Sequence, residues 1–191
     1  RRFFENNDGK YSLLIDEAHN LVDRGRSMYS AELIKSQFLG LRRQLKEYFP
    51  LLAKRLARVN AEFLSIRKEQ KAELENRGFA VLPVPDEKTV RALRRFCEAA
   101  EDVLKENSAY SFQEILLTLY FDCLRFLRTA EQVDDDYAVL LLSVRKDLKL
   151  KLFCVNPAAR LKEGFDRMAS SICFSATMRP QNYFQGLLGL E

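Results

Sequence analysis

Apolar residues recur along this chain with two periods, and the switches between them mark out its elements. Leu13–Ile15 is a short apolar run that reads as a buried parallel strand, preceded by the end of a helix at Arg2–Glu5 and the polar turn Asn6-Asn7-Asp8-Gly9. Val22-Asp23-Arg24-Gly25 reads as a connection out of that strand. Ile34, Phe38, Leu41, Leu45 and Tyr48 then recur at three- and four-residue steps, the spacing of one helix face. Pro50 ends this helix and opens the next, since proline is tolerated in a first turn. Leu52, Leu56, Val59, Phe63, Ile66 and Leu74 predict that this second helix is the longest element, running unbroken to Asn76-Arg77-Gly78. Pro83 and Pro85 predict an extended crossing. A third helix follows from Glu87 to Glu106, with Val90, Leu93, Cys97, Ala100 and Leu104 inward and Asn107-Ser108 as its stop.

Ser111-Phe112-Gln113-Glu114 has the form of a capping box for a fourth helix carrying Ile115, Leu119, Cys123, Phe126 and Leu127. Its aromatic residues, Tyr110, Phe112, Tyr120, Phe121 and Phe126, read as helix-packing core rather than a platform for stacking bases. After the acidic turn Asp134–Asp136 the period changes. Tyr137–Val144 is β-prone and Leu148–Phe153 alternates, so Lys146-Asp147 closes a hairpin between them. Asn156-Pro157 caps a short helix to about Met168, Ser171–Thr177 is another short apolar strand, and Pro180 opens a last helix ending at Gly189. The fold class is therefore mainly α with a small mixed β-sheet, an α+β chain.

With 47% hydrophobic residues the chain can bury a sizeable core, which excludes a disordered tail or linker. A formal charge of +4 permits contact with nucleic acid without demanding it. The four cysteines, Cys97, Cys123, Cys154 and Cys173, lie at least 19 positions apart among apolar neighbours. They read as buried free thiols, which suits a reducing cytoplasm. The longest apolar run, Ala138–Leu142, is far shorter than a membrane span, so no membrane is expected as a partner.

Two short stretches carry chemistry. The first strand ends in Asp16-Glu17-Ala18-His19, placing two carboxylates at a strand's C-terminal edge, where open α/β sheets bind ligands. Such a pair also serves as a helix N-terminus signal, because negative charge is favoured in a first turn. The second strand ends in Ser175-Ala176-Thr177, which alone would read as a helix cap before Pro180.

Taken together, YSLLIDEAHNL and SICFSAT resemble motif II and motif III of superfamily 2 helicases, and Asn20-Leu21 points to the XPD/DinG branch of 5′ to 3′ DNA helicases. The two motifs lie much further apart than in most superfamily 2 enzymes, as in XPD/DinG proteins, whose arch domain is inserted there. VDRGRSMYSAEL, VNPAARL and MRPQNYFQGLLGLE also look like the family's framework around the arch. The resemblance implies a motor-domain piece at 1–26, a helical arch insertion at 27–136, and a return to the motor domain at 137–191 that includes the hairpin. The flanks would be strands of a P-loop helicase motor domain. No GxxxxGK[ST] phosphate loop occurs here, so the chain reads as a central fragment, inactive alone.

The roles implied are catalytic for Asp16 and Glu17, with Asp16 holding Mg²⁺ through water and Glu17 orienting the attacking water. His19, Ser175 and Thr177 would couple nucleotide state to the grip on nucleic acid. ATP and Mg²⁺ are expected in the intact enzyme, and a 4Fe-4S cluster in the parent protein but not in this fragment. Expected partners are single-stranded DNA and the remaining helicase domains of the same chain; the expected location is cytoplasmic, with nucleoid association if bacterial. Lys54, Arg58 and Lys68 fall opposite the apolar stripe of the long helix and are candidate DNA contacts. Glu62, Glu69 and Glu73 beside them allow the alternative of a solvated face. An RNA helicase of the wider DEAH group and a non-enzymatic helical interaction module are the rival functions.

Overall fold

A computed structural model describes residues 11–105, 110–145 and 147–190. The turn expected at Asn6–Gly9, the helix end at Arg2–Glu5, the stop at Asn107-Ser108 and the Lys146 half of the hairpin turn lie outside them. The chain forms two compact units, one made of Arg1–Tyr29 with Cys154–Glu191 and the other of Ser30–Phe153.

In the flanking unit, β1 (Ser12–Ile15) pairs in parallel with β6 (Ser170–Cys173), Leu14 opposite Ile172. A turn of 3-10 helix at Ala18–Asn20 leads into α1 (Leu21–Tyr29), where a connection was expected. Polar side chains hide this helix from periodicity, and Gly25 is a poor helix former, yet α1 runs unbroken through it. The glycine has a packing reason. A Cβ there would lie 3.1 Å from Pro157 Cβ and 3.3 Å from Leu161 Cδ1, beside α7 (Ala158–Phe165). Asn156 Oδ1 accepts from the Ala158 amide at 3.2 Å, but the N-cap is Pro157, one residue later than the cap expected at Asn156. α8 (Gln181–Leu188) ends at Gly189, whose φ of 68° suits a left-handed cap. Val22, Leu161 and Leu188 form a small core joining these three helices. Gly25→Val should cost about 1–3 kcal/mol by overpacking this contact. Urea unfolding of the chain would read that loss, and an unchanged midpoint would show that the α1 and α7 contact yields freely.

In the Ser30–Phe153 unit, β2 (Ala31–Ile34) precedes α2 (Lys35–Leu45), so Ile34 belongs to a strand and the expected helix is shorter. Tyr48, expected on its buried stripe, lies beyond its end and is exposed. α3 (Pro50–Glu69) starts at the proline as expected, but the chain breaks at Gln70, and α4 (Lys71–Arg77) finishes the run before Gly78 at φ 75°. β3 (Phe79–Leu82) replaces the first part of the extended crossing. α5 (Glu87–Lys105) and α6 (Gln113–Ala130) follow. No side chain caps α6, whose N-cap position is Phe112, so Ser111 does not act in a capping box.

β4 (Tyr137–Val144) and β5 (Asp147–Cys154) complete a second, four-stranded sheet of order β2-β5-β4-β3. The pairings of β2 with β5 and of β3 with β4 are antiparallel. The hairpin was expected with the flanking segments in 137–191; it falls in the Ser30–Phe153 unit instead. The reason is edge pairing: both outer edges of the pair are taken by β2 and β3, and Leu148, Leu150 and Leu152 alternate into that unit's core. The boundary expected at 26–27 also moves to Tyr29, since α1 runs through it. The core centres on Phe38, Phe63 and Phe96, all fully buried, with Leu41, Leu56, Val59, Leu93 and Phe126 around them. The fold is mainly helical α+β with small sheets, as expected: one is two-stranded and parallel, the other four-stranded.

Candidate functional site

Parallel pairing of β1 with β6 sets the C-terminal ends of two strands side by side, and the two motifs follow those ends. Phe174 N donates to Ile15 O at 3.0 Å and Ala18 N to Phe174 O at 3.1 Å, so the ladder continues past both strands. This register puts Glu17, His19 and Ser175 together. Ser175 Oγ donates to Glu17 Oε2 at 3.1 Å and lies 2.8 Å from His19 Nδ1. His19 Nδ1 is itself 3.1 Å from Glu17 Oε2. The three side chains thus form one polar cluster, in which the histidine tautomer sets which of Ser175 Oγ and His19 Nδ1 donates. The Thr177 amide donates to Ser175 Oγ at 3.3 Å, and Thr177 Oγ1 stands 3.4 Å away. Thr177 thus meets Ser175 rather than His19.

Asp16 Oδ1 accepts from the Glu17 amide at 2.7 Å, which fixes the plane of its carboxylate. Glu17 itself sits at φ 50°, ψ 43°, left-handed backbone that costs a non-glycine residue about 1–2 kcal/mol. Glu17 N donating to Asp16 and Asn20 N donating to Glu17 O at 2.9 Å hold that conformation. Strain of this kind gathers at functional sites. The Glu17 side chain remains 59% exposed, accessible to a ligand, against 31% for His19.

Asp16, Glu17, Ser175 and Thr177 offer hard oxygen donors, the type Mg²⁺ prefers when it keeps several waters and shares a carboxylate with substrate phosphates. The residues fit that group. The cysteines do not fit an iron–sulfur cluster. Cys97, Cys123 and Cys154 are buried, Cys173 is half-buried with its thiol pushed up by burial, and the described residues contain no cluster of three or more His, Cys, Asp or Glu side chains of the kind that holds a metal by protein ligands alone. No helix of the described residues is long and apolar enough to cross a membrane.

The basic candidates separate. Lys54 and Arg58 line one groove, together with Arg55 on α3 and Lys88, Arg91 and Arg95 on α5. Lys68 lines a different cavity of about 620 Å³ with Arg67 and Lys71, where Glu75 and Asp147 also contribute. Arg58 Nε is 2.6 Å from Glu62 Oε1, and Glu62, expected on the solvated arc, is buried. Sequence reasoning missed Arg55, Lys88, Arg91 and Arg95. The i, i+3, i+7 spacing of the last three was a visible signal, but only the packing of α5 on α3 brings them to Lys54. Of the aromatic residues, Phe112 and Phe126 are buried core, Tyr110 stacks on Phe112 at 5.1 Å, and Phe121 is exposed.

No family model and no curated protein matches the chain. Among solved structures it is similar to Xpd4 from S. tokodaii, with a TM-score of 0.52 and 17% sequence identity over 91% of this chain. The chain spans 36% of the length of that structure. The fold is thus XPD-like.

Proposed function

We propose that this chain is the central part of an ATP-dependent 5′ to 3′ DNA helicase of the XPD/DinG type. The Ser30–Phe153 unit is its arch, and the flanking unit is the part of the first motor domain that bears motifs II and III. The observation that carries the reading is the Glu17–His19–Ser175 cluster, formed by two sequence motifs that meet only through the parallel β1–β6 pairing. The XPD-like fold supports it. So does the bare sheet face: Leu14 is 67% and Ile172 54% exposed, whereas parallel sheets are normally covered on both faces. In the intact enzyme other motor-domain strands and helices would cover that face.

Asp16 would hold hydrated Mg²⁺ against ATP, which supplies charge neutralisation on the transferred phosphoryl group when bound. Glu17 would take a proton from the attacking water. His19, bonded to both Glu17 and Ser175, would pass a change at the nucleotide to β6 and the segment after it, and so to the single strand. A 4Fe-4S cluster, if the parent has one, would be held by cysteines outside this chain.

The test is unwinding by the protein encoded by the whole open reading frame. A duplex with a 5′ single-stranded tail should be opened in the presence of ATP and Mg²⁺, and Asp16→Asn should abolish this. Unwinding only of RNA, or none with either polarity of tail, would replace the reading with one of its rivals.

A further inference from the structure

The groove between α3 and α5 is lined by Lys54, Arg55, Arg58, Lys88, Arg91 and Arg95, with Ala92 beside them and no acidic residue. Its volume is about 310 Å³. Of these cations Arg58 is engaged by buried Glu62; among the described residues no ion pair is found for the other five. The Nε of Arg55 is buried and makes no hydrogen bond among the described residues. Like charges this dense repel one another unless an anion lies between them.

We infer that this groove binds the sugar–phosphate backbone of a single nucleic-acid strand. Lys88, Arg91 and Arg95 stand at i, i+3 and i+7 and so share one face of α5, facing the row of Lys54, Arg55 and Arg58 on α3. At 1.5 Å rise per residue the α5 row places its cations about 4.5–6 Å apart along the helix, and Arg55 and Arg58 on α3 stand about 4.5 Å apart, spacings suited to successive phosphates. Four of the six are arginines, whose planar forks match phosphate oxygens. No aromatic side chain lines the groove, so contact is with the backbone and independent of sequence. The cavity holding Lys68 differs, because its acids offset its bases. That the strand is DNA rests on the helicase reading; that the ligand is a phosphate backbone does not.

The test is anisotropy of a labelled oligothymidylate titrated with the 191-residue chain, without nucleotide, across about 50–200 mM salt. Each phosphate contact contributes about 0.7 to the slope of log affinity against log salt for single strands. Lys88→Glu/Arg91→Glu/Arg95→Glu should therefore lower the slope by roughly 2 and weaken binding at low salt by at least about tenfold. Arg91→Gln/Arg95→Gln, which adds no acid, should lower it by about 1.4 and covers the case where triple reversal disturbs folding. Reversing Arg67, Lys68 and Lys71 in the other cavity should leave the slope unchanged.

Four results would overturn the inference: no salt-dependent binding by the unaltered chain, an unchanged slope in the folded glutamine variant, an equal loss on reversing the Lys68 cavity, or displacement of the strand by polyglutamate as readily as by unlabelled oligonucleotide. The last would make an acidic protein segment the occupant. Failure of the helicase reading would appear separately, in ATP-driven unwinding, which this assay does not involve.

Discussion

Glu17→Gln in the intact protein is expected to lower ATP hydrolysis by about 10²- to 10⁴-fold, the range for loss of a positioned general base, while nucleotide binding changes little. Glutamine keeps the size of the side chain, and its amide oxygen can still accept from Ser175 Oγ, which now donates to Glu17 Oε2 at 3.1 Å. What it loses is basicity and one negative charge. The left-handed backbone at this position is no easier for glutamine than for glutamate, so the strain persists and thermal stability should stay within about 0.5 kcal/mol of the original. Unwinding should fall with hydrolysis. The check is single-turnover hydrolysis alongside nucleotide-binding titration. Near-normal hydrolysis with glutamine in place would mean that the Glu17–His19–Ser175 cluster ties the two strands together without taking part in chemistry.

Phe38→Ala should produce the largest loss of stability, about 3–5 kcal/mol, a large part of the roughly 5–15 kcal/mol that holds a typical domain folded. Phe38 on α2 is fully buried, with ring centroids 5.9 Å from Phe63 on α3 and 6.1 Å from Phe96 on α5. Its removal opens a cavity where three helices meet, and helices anchored at both ends relax only partly into such a space. Because β2, β3, β4 and β5 pack against the same core, their unfolding should follow. Urea denaturation of the 191-residue chain, read by far-ultraviolet circular dichroism, should show the midpoint falling sharply. Leu14→Ala is the matched control: Leu14 is 67% exposed, and its loss should cost about 0.5 kcal/mol or less in this chain. A Phe38→Ala chain as stable as the original would place the core elsewhere.

These two residues lie on opposite sides of what local sequence can convey. Helices α3, α5 and α6 were legible because their apolar residues repeat at the helical period, and Leu52, Leu56, Val59 and Phe63 all face inward as that period requires. Pro50 and Gly78 marked real boundaries, because proline and left-handed backbone are local properties. The two short motifs were legible as chemistry, since Asp16, Glu17 and His19 on the one hand and Ser175 and Thr177 on the other are close in the chain.

Tertiary structure alone decided what each of these residues meets. α1 was hidden because Gly25 serves a contact with Pro157 and Leu161 across the chain, at a cost in its own helix propensity. Ile34 follows a helical spacing yet lies in a strand, since Lys149 on β5 is its partner in the ladder. Glu62 reads as a solvated charge and is buried, with Arg58 against it. The basic face foreseen along one helix became a groove only when α5 brought Lys88, Arg91 and Arg95 to it, while Lys68 went to another cavity. Thus the sequence by itself determined the helices, their ends and the two motifs, because each is a short-range property of backbone and side chain. The pairing of β1 with β6 and of α3 with α5, and with them both the Glu17–His19–Ser175 cluster and the groove, were decided by the burial of surfaces far apart in the chain, which no local period records.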